Sequence, residues 1–118
     1  TVDLVIGQAP VLQSVEQVDG VWVAWGLGTT LGSDPADGGW PTQSEDAAVL
    51  RIRFTQGFDG SFSGDTPTLV ATWCDRDHGH VVHVTADMGD AALAPDVRVA
   101  LFRSAERSRR TLGALLDS

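Results

Sequence analysis

Hydrophobic and polar positions alternate with a period of two along much of the chain, and turn-forming residues break that alternation at short intervals. Val18-Asp19-Gly20-Val21 places an Asp-Gly pair between two strand-like runs, as a two-residue type I′ turn demands, because both central residues need positive φ. The predicted hairpin sets Val18 opposite Val21, Glu16 opposite Val23, Ser14 opposite Trp25 and Leu12 opposite Leu27, with Trp22, Ala24 and Val15 pointing the other way. Bulk on both faces predicts a hairpin that is covered on both sides.

Residues 47–55 alternate again, with Ala48, Leu50, Ile52 and Phe54 on one face and Arg51 and Arg53 on the other, which predicts a strand with one wet side. Residues 56–66 are rich in Gly, Ser and Asp around Phe58 and Phe62. Residues 68–74 and 80–88 predict a second hairpin around Asp75-Arg76-Asp77-His78-Gly79, and a further break at 89–96 leads to a short strand at 97–102. At the C-terminus Ser104 is positioned to cap a helix within 104–117, whose Ala105, Leu112, Leu115 and Leu116 share one side while Glu106 and Arg110 lie away from it; Gly113 costs that helix about 1 kcal/mol. Residues 28–46 show neither period and form a long acidic Gly/Pro/Asp loop. The chain therefore reads as one mainly β domain over 1–118, a small antiparallel β-sandwich or closed β-barrel with a short C-terminal helix.

Composition sharpens this picture. With 118 residues, 42% hydrophobic and 20% charged, and a mean hydropathy of −0.01, the chain is globular in character and long enough for a core without disulfide or metal staples. The formal charge of −8 repels phosphate, so nucleic acid is disfavoured as a partner, as are anionic membranes. That charge is a difference: residues 1–96 hold three Arg and fourteen acids, a net of −11, whereas 97–118 hold five Arg and two acids, a net of +3. No apolar run approaches the roughly 20 residues that span a bilayer, and Thr1-Val2-Asp3-Leu4 lacks the basic start of a secretory signal, so the expectation is a soluble protein, cytoplasmic rather than secreted. The absence of Lys, Asn and Tyr, with Ile only at 6 and 52, suggests a GC-rich bacterial genome. The missing Lys removes Schiff-base chemistry and a phosphate-binding lysine.

The stretch from Cys74 to His83 holds the single Cys and all three His. Asp75, Asp77, His78 and His80 are its metal-ligand candidates, but strand alternation separates His80 from His83, no second cysteine pair gives structural-zinc spacing, and Gly79 and Ala86 fall where a calcium loop needs ligands. The principal reading is a polar hairpin tip with no cofactor. A thiol nucleophile would pair Cys74 with His80 directly across a five-residue turn, and His83 and Asp87 are the acid/base candidates if the fold encloses a substrate. The serines of Gly60-Ser61-Phe62-Ser63-Gly64 and the glycines of residues 26–32 are misplaced for a nucleophile elbow and a dinucleotide loop, respectively.

The aromatic residues carry the binding expectation. Trp73 and one of Trp22 and Trp25 are expected in the core, while Trp40, between Gly39 and Pro41 in the long loop, either suits a sugar face, an apolar ligand or a protein pocket or folds back as a lid over the end of the barrel or sandwich. Trp40, Asp34, Asp37 and Trp22 are the ligand-binding candidates. Arg103, Arg107, Arg109 and Arg110 form a basic feature that either docks on the protein's own acidic loops or recognises a partner. The order Gly39-Trp40, Ile52-x-Phe54-x-x-x-Phe58, Thr66-Pro67-x-Leu69-Val70 and Val82-x-Val84-x-Ala86 resembles, over less than half of the chain, the strand succession of H-type lectins, which implies a sugar-binding β-sandwich and a trimer. The functional expectation is a non-enzymatic binding or interaction module with a protein, carbohydrate or other small-molecule ligand, homo-oligomers included. The alternatives are a small β-barrel enzyme or cyclase acting on a hydrophobic molecule, and an accessory subunit that docks through its Arg-rich C-terminal segment.

Overall fold

A computed structural model describes residues 2–30 and 45–117. Asp19 and Gly20 take φ values of 49° and 81°, the left-handed pair of a type I′ turn, and join β2 (Val15–Val18) to β3 (Val21–Ala24). The register is the predicted one: Val18 faces Val21 and Glu16 faces Val23, and beyond the strands Leu12 bridges Leu27. β1 (Leu4–Ile6) runs parallel along the other side of β3, giving the order β1-β3-β2.

A second sheet has the order β4-β7-β8, from β4 (Asp46–Arg51), β7 (Thr68–Asp75) and β8 (Val81–Val84). Its central strand β7 is buried continuously from Ala71 to Asp75. The two sheets touch at Gly28, which bridges Ala47 while the Ala48 N–H donates to Leu27 O at 2.9 Å. Gly28 sits at φ 76°, and a Cβ there would run into the carbonyl oxygen of Asp46. Glycine is required at this join.

The β7–β8 hairpin is the second predicted one, but its register differs. Gly79 and His80 both adopt left-handed conformations, so the turn occupies 76–80 and pairs Cys74 with Val82 and Trp73 with His83. His80 therefore lies outside the strand and not opposite Cys74. The strand predicted over 47–55 also divides. After Arg51 the chain leaves β7, and β5 (Phe54–Gln56) pairs instead with β6 (Phe62–Gly64) as a separate two-stranded sheet. Gly64 allows this exchange, because its missing side chain leaves room for Ile52 and Phe54, whose nearest atoms lie 3.0 and 3.2 Å from where a Cβ would stand.

The largest correction concerns the C-terminus. α1 runs from Pro95 to Leu112, so residues 97–102 are helical, not a strand, and Ser104 lies in mid-helix, not at a cap. Pro95 in the first turn has no N–H to leave unsatisfied, and Asp96 complements the positive helix start. The buried face is Leu101, Ser104, Ala105, Ser108 and Leu112, a helical stripe in which two serines interrupt the apolar period. The helix stops at Gly113 (φ 57°), after which the Asp117 N–H donates to Leu69 O at 2.7 Å.

Val15, Ala24, Ala48, Leu69 and Leu112 form a core cluster, with Leu12, Trp22, Leu27, Leu50, Leu115 and Leu116 packed against it. Both three-stranded sheets and the helix contribute to it. The architecture is thus mainly strands in three small sheets plus one C-terminal helix, and the sheets do not close into a barrel. No helix among the described residues is long and apolar enough to cross a membrane.

Candidate functional site

The polar chemistry gathers where α1 meets the start of β4. Asp46, buried at 3% exposure, accepts from Ser104 Oγ at 2.6 Å, from Arg107 Nε at 2.6 Å and from Arg107 Nη2 at 2.8 Å. Two parallel N–H bonds from one guanidinium give the geometry that carboxylates hold most firmly. The bond to Asp46 pushes the Arg107 guanidinium above its ordinary range. Next in sequence, Glu45 accepts from Trp73 Nε1 at 3.0 Å; burial raises the Glu45 carboxyl above its ordinary value, while the Trp73 bond and the nearby Arg76 act the other way. The Trp73 ring stacks on His83, with centroids 5.8 Å apart and planes inclined by 24°. Every one of these groups fastens a strand or helix to its neighbour, and the arrangement locks α1 onto the β4-β7-β8 sheet.

The predicted site residues are distributed unevenly. Trp40, Asp34 and Asp37 lie outside the described residues. Trp22 is partly buried against the core, as is expected for one of the strand pair; Trp25 is exposed, with its Nε1 donating to Glu16 at 2.8 Å. Of the arginines, Arg107 docks on the protein's own Asp46, Arg109 pairs with Glu106, and Arg103 and Arg110 lie exposed. Asp75 and His78 come together, with both Asp75 oxygens within 3.0 Å of His78 Nδ1, whereas Asp77 and His80 lie exposed. That bond and the attraction of the Asp75 carboxylate raise the His78 pKa above its ordinary value. Among the described residues no three His, Cys, Asp or Glu side chains converge on a point where a metal ion could sit. Cys74 is buried and its strand partner is Val82, so the neighbouring His83 side chain belongs to the opposite face; Asp87 is exposed in the 3-10 turn after β8.

The most unusual surface is one that the sequence reading passed over. The β5–β6 hairpin has almost no buried residue, yet it carries Phe54, Phe58 and Phe62, with Phe58 as open to solvent as an isolated residue. Its turn is well formed without that ring: the Gly57 N–H donates to Ser61 O at 2.7 Å, and Ser61 donates through N–H and Oγ to Asp59 Oδ1 at 3.0 and 2.7 Å. These bonds also hold the Asp59 carboxyl below its usual range. A two-stranded ribbon with so little of its surface covered by the described residues is marginal in water. The signal was present as Gly57-Phe58-Asp59-Gly60, where turn residues on either side set a large aromatic residue at a turn tip.

Elsewhere, a groove of about 340 Å³ lies between α1 and the turn after β8, lined by Met88, Pro95, Arg98, Val99 and Phe102. Val99 and Phe102 are about half exposed. β8 pairs with β7 on one side, and its Val81, Val82 and Val84 are exposed. Comparisons with protein-family models, with curated proteins and with solved structures find no match.

Proposed function

We propose that the protein is a non-enzymatic interaction module whose described contact element is the Phe54–Gly64 finger, and that its partner is a polypeptide. The observation that carries this reading is the Phe58 ring, displayed at the tip of a hydrogen-bonded turn that does not use it. Contiguous exposed apolar surface marks contact sites, and aromatic residues supply a large share of binding energy when an interface buries them. The two three-stranded sheets, which share one core, are read as the layers of an open sandwich that holds the finger at one end. The Trp40 loop belongs to the same reading as a second contact element, inferred from sequence.

The test is affinity capture from the organism of origin, with the wild-type chain, Phe58→Ser and Trp40→Ala each immobilised at equal density. The reading predicts that Phe58→Ser loses specifically captured proteins while its circular dichroism stays unchanged. A captured set identical for the wild type and both variants would overturn it.

A further inference from the structure

We infer that the finger of one copy of this chain seats in the α1 groove of a second copy, with Phe58 entering between Met88, Val99 and Phe102. This inference rests on the interaction-module reading and names its partner. The two surfaces complement each other in charge, and both expose apolar side chains. The finger presents an aromatic knob, and the groove of about 340 Å³ is lined by an adaptable thioether, a proline ring, a valine and a phenylalanine. Residues 54–65 contain the acids Asp59 and Asp65 and no base, whereas the groove contains Arg98, whose Nε is shielded from water and meets no acceptor among the described residues. Asp59 stands next to Phe58 with its ionised form favoured by Ser61, so inserting the ring brings a carboxylate towards that guanidinium.

The area suits a weak, concentration-dependent contact. Phe58 is fully open while Phe54 and Phe62 are 38% and 49% exposed, so the three offer the area of about two side chains, about 300–500 Å² at about 150–250 Å² each; with a matching area on the groove side the contact removes about 600–1,000 Å² in total, the range of weak, transient interfaces. Finger and groove are different surfaces, so the contact is head-to-tail and leaves one free finger and one free groove on every dimer. Assembly therefore continues with concentration into longer chains or a closed ring.

The experiment is sedimentation velocity with native mass spectrometry on the full chain, across concentrations up to about 1 mM. It compares the wild type with Phe58→Ser and Val99→Glu, both at solvent-exposed positions, and with a 1:1 mixture of the two variants. The wild type is expected to associate progressively, and each variant alone to associate at least about tenfold more weakly. The mixture is expected to stop at a heterodimer, because Phe58→Ser retains an intact groove and Val99→Glu an intact finger. A wild type that stays monomeric overturns the inference, as does a mixture that forms nothing. A dimer that persists in both variants does so too, since it places self-association on another surface such as the β8 edge. If the wild type is monomeric yet Phe58→Ser abolishes capture of other proteins, the second-copy inference falls and the module reading stands; if Phe58→Ser alters neither, both fall.

Discussion

Replacing Asp46 by Ala removes the acceptor of three hydrogen bonds at once and strands the donors of two side chains beneath the helix. Ser104 is wholly buried and would keep a hydroxyl with no partner, while the Arg107 side chain retains 22% exposure through which water can reach the guanidinium. Breaking a buried pair from one side costs about 3–5 kcal/mol; the partial access to Arg107 lowers the expectation for Asp46→Ala to about 2–4 kcal/mol. For a chain of this length that loss lowers Tm by about 10–20 °C. The converse variant, Arg107→Ala, leaves the nearly inaccessible Asp46 carboxylate unpaired and should cost about 3–5 kcal/mol. Urea unfolding of both single variants and of the double variant closes a cycle, in which the double variant should lose about 2 kcal/mol less than the two losses summed. A loss under about 1 kcal/mol for Asp46→Ala, or a coupling indistinguishable from zero, would refute the claim that this pair fastens α1 to the sheet.

Gly28→Ala should destabilise by about 2 kcal/mol or more in the same urea assay, because it adds left-handed strain to a collision with the β4 backbone; a neutral result would mean that the two sheets do not meet there. His78 gains its partner on folding and its pKa rises above 6.5, so its contribution to stability is complete below pH 6.5 and is lost as pH rises through the folded value. The stability difference between wild type and His78→Gln should accordingly be larger at pH 5.5 than at pH 8.5, and equal differences would contradict the Asp75 contact. Burial raises the pKa of Glu45, so folding opposes its charge; Glu45→Gln, which keeps an acceptor for Trp73 Nε1, should be neutral or stabilising at pH 8, and a clear loss of stability would show that the charge itself is needed.

Local chemistry made the two hairpins around β3 and β7 legible in the sequence. Asp19-Gly20 specifies both turn type and register, because both residues take the positive φ that a type I′ turn demands. The register of β7–β8 was less accessible, because an Asp/Arg/His/Gly turn does not reveal whether His80 takes a left-handed conformation, and that choice moves Cys74 from His80 to Val82. The start of α1 was hidden by its own packing. Valines at 97 and 99 read as a strand, so propensity does not mark the first two turns, and serines at 104 and 108 on the buried face interrupt the apolar period that follows. The basic residues were legible as a group, but only the fold separates Arg107, held by Asp46, from the exposed Arg103 and Arg110. The finger was missed for the opposite reason: a phenylalanine in a turn normally implies a covering partner, and among the described residues nothing covers Phe58.

The interaction-module reading turns on what meets Phe58. Placing a photoreactive benzoylphenylalanine at position 58 and irradiating the chain in its native host, with the same label at the exposed Val49 as a control, tests this most directly. The expected result is a cross-linked polypeptide specific to position 58, mapped to residues 88–102 where that polypeptide is a second copy. Irradiation that yields no polypeptide adduct at 58, or the same adducts at 58 and 49, would contradict it.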